Sequence, residues 1–263
     1  MTGVQTCALP IYRVIYIDGG YADELLDLNL KDAHDRRYDP ASLTAGSIVE
    51  FIITSGVLVS GSTTSTYALT NPNTWPSGVF VRLVIESGAI VAGRGGDGGD
   101  ASYYTDLDGF MAASDGGNGG NGLNIQSVIT ITNNGIIASG GGGGGGGGGT
   151  FAFATAGGGG GGAPLGIGGN KGTINSIDAW GAQNGNNANI NNMYGGIGGL
   201  SSGGRFIAGN GGNGGDLGQN GQAGQDDPTH HNYGQAGAAG DYAIVGISFV
   251  TFSAMGTIIG ATS

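Results

Sequence analysis

The side chains capable of chemistry are few and fall in short stretches. His230 and His231 follow Asp226 and Asp227, a grouping that raises a metal site. Adjacent side chains rarely converge on one ion, and no distant Cys or His partner stands out, so the group is read as non-ligating. Gly211–Asp216 and Gly95–Asp100 fit the first six positions of the calcium-binding glycine repeat. The apolar residue due two places after the aspartate is replaced by Gly218 and Ser102, and the nine-residue period is absent. Asp106 and Asp108 read as solvated loop acids rather than as a glycosidase couple. The glycine runs are not followed by Gly-Lys-Ser/Thr, so they are not phosphate-binding loops. No convincing nucleophile–base set stands out. The sequence therefore predicts a protein that is not an enzyme and that carries no metal or cofactor.

What remains is contact chemistry, held in unlike segments between tracts of glycine. Residues 101–115 carry Tyr103, Tyr104, Asp106, Phe110 and Met111, and residues 150–156 carry Phe151 and Phe153. Residues 173–194 are rich in Asn and include Trp180, Met193 and Tyr194. Residues 200–208 hold Arg205 and Phe206, and residues 225–233 hold Asp227, His230, His231 and Tyr233. Aromatic side chains among Asn and Gly give contact area at modest entropy cost. Diverse loops on a rigid scaffold are a binding architecture. The competing role for Phe151, Trp180 and Phe206 is to cap the ends of that scaffold.

The scaffold has to be built largely of glycine. The chain has 263 residues and 62 glycines but only 6 prolines, which excludes collagen. Residues 93–240 hold all but 11 of the glycines. Glycine recurs there every third position, as at Gly93, Gly96 and Gly99, at Gly116, Gly119 and Gly122, and from Gly209 to Gly224. Two nearly pure runs, Gly140–Gly149 and Gly157–Gly162, flank Thr150–Ala156. A polyproline-II-like helix has three residues per turn and no internal hydrogen bonds. Made of glycine, it keeps its N–H groups and has bare faces, so such helices can bond side by side. The competing reading is a flexible linker. The apolar residues between tracts and the strong strand pattern at Ala243–Phe252 favour order.

Outside the glycine region the pattern is that of strands. Val49, Phe51 and Ile53, and again Val79, Val81, Leu83 and Ile85, alternate with their neighbours in a period of two. Residues 21–38 suggest a short helix stopped at Asp39-Pro40. A weak repeat joins a strand, a turn ending in glycine and a short apolar run: Ile53–Gly56 to Gly61, Ile85–Gly88 to Gly93, Ile131–Gly135 to Gly140, and Phe252–Gly256 to Gly260. Each unit reads as a tight hairpin, and the repetition points to a layered or solenoid build. Residues 1–11 match a translated sequencing adapter, so the natural chain is expected to continue upstream of Tyr12. The predicted organisation is an artefactual stretch at 1–11, a truncated N-terminal region at 12–47, and a β-rich domain at 48–92. A glycine-rich domain follows at 93–240, closed by a C-terminal β-hairpin at 241–263. The fold class is mostly β and irregular, with β-hairpins leading into a stack of polyglycine-type helices and binding loops at its ends.

The layout resembles the receptor-recognising tail-fibre adhesins of tailed bacteriophages. Thr74–Gly78, followed by a strand and Gly88–Gly99, is also similar to C-terminal regions of phage tail-tip host-specificity proteins. The resemblance covers roughly 48–263 and rests on architecture more than on single residues. It implies stacked polyglycine-type helices, with the segments at 101–115, 150–156, 173–194 and 225–233 as variable receptor loops. It also implies a bacterial outer-surface protein or polysaccharide as receptor, other tail-fibre or tail-tip subunits as partners, and a place at the distal end of the tail. The Asn-rich stretch Asn186–Asn192 departs from that pattern. With 8 basic against 19 acidic residues, the net charge is -11, which speaks against nucleic acid. The other classes in contention are a structural fibre or spacer and an ice-binding or matrix protein. The aromatic segments count against the first, and the lack of a regular Thr/Ala face counts against the second.

Overall fold

The computed structural model describes residues 11–20, 25–105, 109–149, 155–174, 177–178, 181–189, 193–202, 208–226 and 233–263. Residues 1–10, nearly all of the adapter-like stretch, lie outside the described residues.

Five successive turns of chain build a parallel β-solenoid. The first turn holds β1 (Tyr12–Ile17) and β2 (Leu28–Asn29), and the second holds β3 (Ile48–Ile53), β4 (Leu58–Ser60) and β5 (Leu69–Asn71). The third holds β6 (Phe80–Ile85) and β7 (Ile90–Ala92), then β8 (Tyr103–Thr105) and β9 (Gly109–Met111) inside an excursion, and returns as β10 (Leu123–Ile125). The fourth holds β11 (Ile129–Ala138), then β12 (Thr173–Ile174) and β13 (Ile177–Asp178) inside a second excursion, and returns as β14 (Tyr242–Val245). The fifth holds β15 (Val250–Ile259) and β16 (Ala261–Thr262).

Equivalent strands stack in parallel, and the two-residue alternation lines up inward side chains between turns. Ile15, Phe51, Leu83, Ile131 and Phe252 form one column. Val59, Val91, Ile137 and Ile258 form a second, and Leu28, Leu69, Leu123 and Ile244 a third. These columns are the hydrophobic core. Outward residues such as Tyr12, Tyr16 and Phe80 are exposed.

The expected hairpins are not hairpins. β3 and β4 are joined by a turn, but β3 pairs with β1 and β6, and β4 pairs with β7. The turn glycines Gly56 (φ 81°) and Gly88 (φ 84°) do adopt the left-handed region. Their turns stack, with the Gly56 N–H donating to the Gly88 carbonyl at 3.2 Å. Each unit of the repeat is thus a corner of the solenoid, and its strands find partners one turn away. The C-terminal segment is likewise no hairpin, because β14 and β16 run parallel and β15 adds to β11. Among the described residues of the helix predicted at 21–38, only α1 (Leu30–Asp35) is helical, capped by Asn29, whose Oδ1 accepts from Lys31 and Asp32. Asp39 and Pro40 open a 3-10 turn.

The glycine-rich chain leaves the solenoid at one corner. In the second turn that corner is the short stretch 61–68. In the third it is 93–122 and in the fourth 139–241, whereas in the fifth Gly260 alone joins β15 to β16. Residues 123–138 lie within the range predicted as the glycine-rich domain, yet they belong to the solenoid as β10 and β11.

Among the described residues the excursions form ten extended tracts: 93–102, 114–122, 139–149, 155–163, 166–172, 183–189, 194–202, 208–216, 219–226 and 233–241. Their hydrogen bonds run between tracts and change partner with each residue. Gly140, Gly143 and Gly146 donate to Gly120, Gly117 and Ser114, while Gly141, Gly144 and Gly147 donate to Ala163, Gly160 and Gly157. Gly142, Gly145 and Gly148 donate to Gln219, Gln222 and Gln225. Carbonyls of the same tract accept from 93–102, 208–216 and 233–241, so it has six neighbours. Tract 155–163 is enclosed in the same way, and the other eight surround this pair. Glycine content follows enclosure. The two enclosed tracts carry the pure runs, and 93–102, which touches four others, reads Gly-Gly-x. Corner tracts such as 219–226 and 233–241 keep one glycine in three.

The first turns are fastened by a polar cluster. His34 is fully buried; its Nε2 lies 2.6 Å from Arg13 Nη1 and its Nδ1 lies 2.8 Å from Asp35 Oδ1. Arginine only donates, so Nε2 accepts and Nδ1–H donates to Asp35. Arg13 also bonds Ser42 and lies over the Tyr38 ring, while Lys31 pairs with Asp35 and the Trp75 ring meets His34 edge-on. Burial, aided by the Arg13 and Lys31 charges, lowers the His34 pKa against the opposing pull of Asp35.

Two outcomes follow from this packing. A methyl group on Gly144 would sit 2.1 Å from the Gly212 carbonyl oxygen, with backbone on every side. Gly144→Ala should therefore abolish cooperative melting of the glycine-rich body, as followed by circular dichroism and amide exchange. The neutral form of His34 is favoured in the folded state, so its contribution is whole above about pH 6.5 and is lost as pH falls toward the lower folded value. The melting temperature should drop through that window, and His34→Gln should flatten this part of the profile.

Candidate receptor-binding end

Each tract runs away from the solenoid or back toward it, which sorts the intervening segments into two sets. At the solenoid end, Gly93 donates to Ala138, Gly218 to Ser139 and Ser139 to Ile259. Ala92, Ala138, Ala163 and Leu217 are buried together there, with Met193 and Ile259 against them. At the far end, Ser102 donates to Gly147, Gly148 to Gln225, Gly209 to Gly148, Gly172 to Ala156 and Ser202 to Thr155. Ala101, Ala156 and Ala208 form a small buried cluster at that end. The far-end residues border the segments 103–113, 150–154, 173–182, 203–207 and 227–232. All five segments therefore leave and rejoin the body on the side opposite the solenoid.

Two of the five are joined by backbone pairing. β8 and β9 form an antiparallel pair that sets Tyr103 opposite Met111 and Tyr104 opposite Phe110. β12 and β13 form another, and β12 lies parallel to β8 with Ile174 beside Tyr104. The stretch carrying Tyr103, Tyr104 and Phe110 thus shares one four-stranded sheet with Thr173–Ile174 and Ile177–Asp178. Tyr233 stands half-buried at the entry to the last tract. Asp106, Phe151, Phe153, Trp180, Arg205, Phe206, Asp227, His230 and His231 lie outside the described residues.

Met193 and Tyr194 are at the wrong end for this set. Met193 (φ 58°) closes a turn against the solenoid, and Tyr194, 57% exposed, begins the tract that leads away from it. The segment read as 173–194 is not one loop. Its Asn-rich part is a returning tract, 183–189, whose residues bond to 166–172 and 194–202.

The sequence reading also missed a set of working side chains. Asp97 and Asp100 accept from the N–H groups of Ile167 and Asn170, and Asn187 and Asn184 accept from those of Gly168 and Lys171. Asp216, Asn213 and Asn210 accept from Gly195, Gly198 and Ser201. Asp115, Asn118 and Asn121 accept from Gln235, Ala238 and Tyr242, and Asn220 from Ala239. In every case Oδ1 covers an N–H that faces the rim, where no further tract supplies a carbonyl. For six of these eleven side chains the signal is an Asn or Asp directly after a pair of glycines, as at Asp97, Asn118 and Asn213. The stretches that matched a calcium repeat are parts of this ladder, with Asp100 and Asp216 holding backbone N–H groups.

A scan against family models matches residues 17–263 to "Phage tail fibre adhesin Gp38". The chain belongs to this family. It is thus a phage tail-fibre adhesin, whose work is to recognise a receptor on the bacterial host. No curated protein matches the sequence. Among solved structures it is similar to a chain in the crystal structure of the gp37–gp38 adhesin tip complex of the bacteriophage S16 long tail fibre. The TM-score is 0.53 at 24% identity, over 97% of this chain and 83% of that one. At that identity the likeness speaks for the fold.

If recognition belongs to the far-end segments, Tyr194 takes no part in it. Tyr194→Ala should leave adsorption of the purified protein to host cells within about twofold of wild type. A tenfold loss would put receptor contact beside the solenoid instead.

Proposed function

We propose that the adhesin meets its receptor with the end of the glycine-rich body opposite the solenoid, and that the solenoid is the base on which this body is mounted. The observation that carries the reading is the common placement of all five intervening segments. Ten tracts alternate in direction, and every aromatic-rich segment joins them on the same side. The tracts act as polyglycine-type helices. Support comes from their three-residue change of bonding partner, their lack of bonds within a tract, and the absence of positive φ at any tract glycine. Packing by main chain makes a stiff body that carries little information, and the segments carry the specificity.

The work is binding, without catalysis. Candidate contact residues at this end are Tyr103, Tyr104, Asp106, Phe110, Phe151, Phe153, Trp180, Arg205, Phe206, Asp227, His230, His231 and Tyr233. The receptor is a protein or polysaccharide of the bacterial outer surface. A net charge of -11 repels an anionic surface at long range, so recognition depends on short-range contact. The neighbouring structure holds a gp38 adhesin together with gp37 of the same long tail fibre. By analogy this chain sits at the distal end of a tail fibre with another fibre subunit as partner.

Replacing Tyr103, Tyr104, Trp180 or Tyr233 singly by Ala should cost about 1–4 kcal/mol of binding where the residue is an anchor. Stability should change by less than about 0.5 kcal/mol. Adsorption to a panel of whole bacterial cells, with circular dichroism on each variant, measures both. Unchanged adsorption for all four on the strain that wild type binds would remove the far end as the receptor site.

A further inference from the structure

We infer that Asp97 and Asp100, with Asn184 and Asn187, are positioning residues for receptor binding: they hold tract 166–172 so that β12 lies beside β8. The inference rests on the receptor-binding end proposed above. A tract presents N–H groups along three ridges, and neighbouring carbonyls fill all three in the two enclosed tracts. Tract 166–172 lies at the rim and, like 233–241, leans on side chains. Gly166, Gly169 and Gly172 donate to carbonyls of Gly162, Gly159 and Ala156, and this is its one ridge held by main chain. The second ridge, Ile167 and Asn170, is held by Asp97 and Asp100 at 2.9 and 2.7 Å. The third, Gly168 and Lys171, is held by Asn187 and Asn184 at 3.0 and 2.9 Å. Two of three ridges therefore depend on side chains.

This tract runs straight into the recognition end. β12 starts at Thr173, directly after Gly172, and pairs with β8 through Ile174 and Tyr104. On the partner tract, Asp100 lies three residues before Tyr103. The Asp100 carboxylate on the Asn170 N–H, together with the Ala101 N–H on the Asn170 carbonyl at 2.9 Å, clamps the two tract ends where they enter the paired strands. The requirement is for an acceptor at Oδ1 and not for charge, because the rim uses aspartate and asparagine in the same role.

The test compares Asp97→Ala/Asp100→Ala with Asp97→Asn/Asp100→Asn in the full chain. In the alanine pair, amide exchange should quicken at least tenfold at Ile167, Asn170 and the β8 and β12 amides, while exchange in the solenoid strands stays as in wild type. Adsorption to the bacterial strain that wild type binds should fall at least fivefold. The asparagine pair should restore both readings. If the asparagine pair behaves like the alanine pair, charge matters and the acceptor role is wrong. If alanine leaves exchange unchanged, the side chains do not hold the tract; if exchange rises while adsorption stays, the tract does not pose the site. Should global melting collapse in the alanine pair, Asp100→Ala alone gives the same readings. Exchange needs no receptor, so wild type that adsorbs to no strain in the panel overturns the receptor reading, while the hold on β12 is still judged by exchange.

Discussion

A peptide N–H in one of the extended glycine tracts finds no carbonyl within its own tract, and the glycine-rich body is arranged around that fact. Each buried N–H must reach sideways, and the neighbour must come close enough to accept. At that spacing a Cβ has no room: on Gly144 it would fall 2.1 Å from a carbonyl oxygen. Glycine is therefore the residue for the middle of an enclosed tract, despite its high entropic cost on ordering. Among the described tracts two are enclosed, and they carry the two pure runs. Toward the rim, neighbours become fewer and other residues return. At rim N–H groups such as those of Ile167, Gly198 and Ala238, an Asn or Asp side chain takes the place of the missing carbonyl.

The solenoid solves a different problem with ordinary means. Its inward columns of Ile, Leu, Val and Phe supply the hydrophobic core that glycine cannot. Its parallel pairing places the corners of successive turns above one another. Both excursions depart from the same corner, so β7 and β11, already paired, launch adjacent tracts. The base thereby sets the starting positions of the stack, and the stack sets the positions of the segments at its far end.

Much of this was legible in the sequence, for reasons that can be located. The three-residue glycine period and the alternation in 48–53 and 79–85 are local signals, and both mark real elements. The repeated strand–turn–glycine unit was visible as well, but its pairing was not. A turn glycine with positive φ suits a hairpin and a solenoid corner equally, and only contacts one turn away distinguish them. The segments expected from the family resemblance fall at the end opposite the solenoid, except for Met193 and Tyr194, which lie at the solenoid end. Asn gave no glycine signal there, so a returning tract was read as loop. The rim ladder escaped because an Asn after two glycines looks like turn chemistry until the neighbouring tract is in view.

The nesting of the excursions also bears on how the chain acquires its fold. The second turn of the solenoid closes over a corner of a few residues, whereas the fourth must wait for 139–241 before β14 can reach β10. Closing so long a span of free glycine-rich chain is slow and entropically unfavourable, since loop closure comes before the contacts that compensate for it. Gly140 bonds back to Gly120 as soon as the chain turns the corner, which lets the stack grow tract upon tract and shorten the gap as it forms. Strand β15 comes after the whole excursion in the chain yet lies along β11, which comes before it, so its seat on β11 straps together the two ends of the span that carries the binding body.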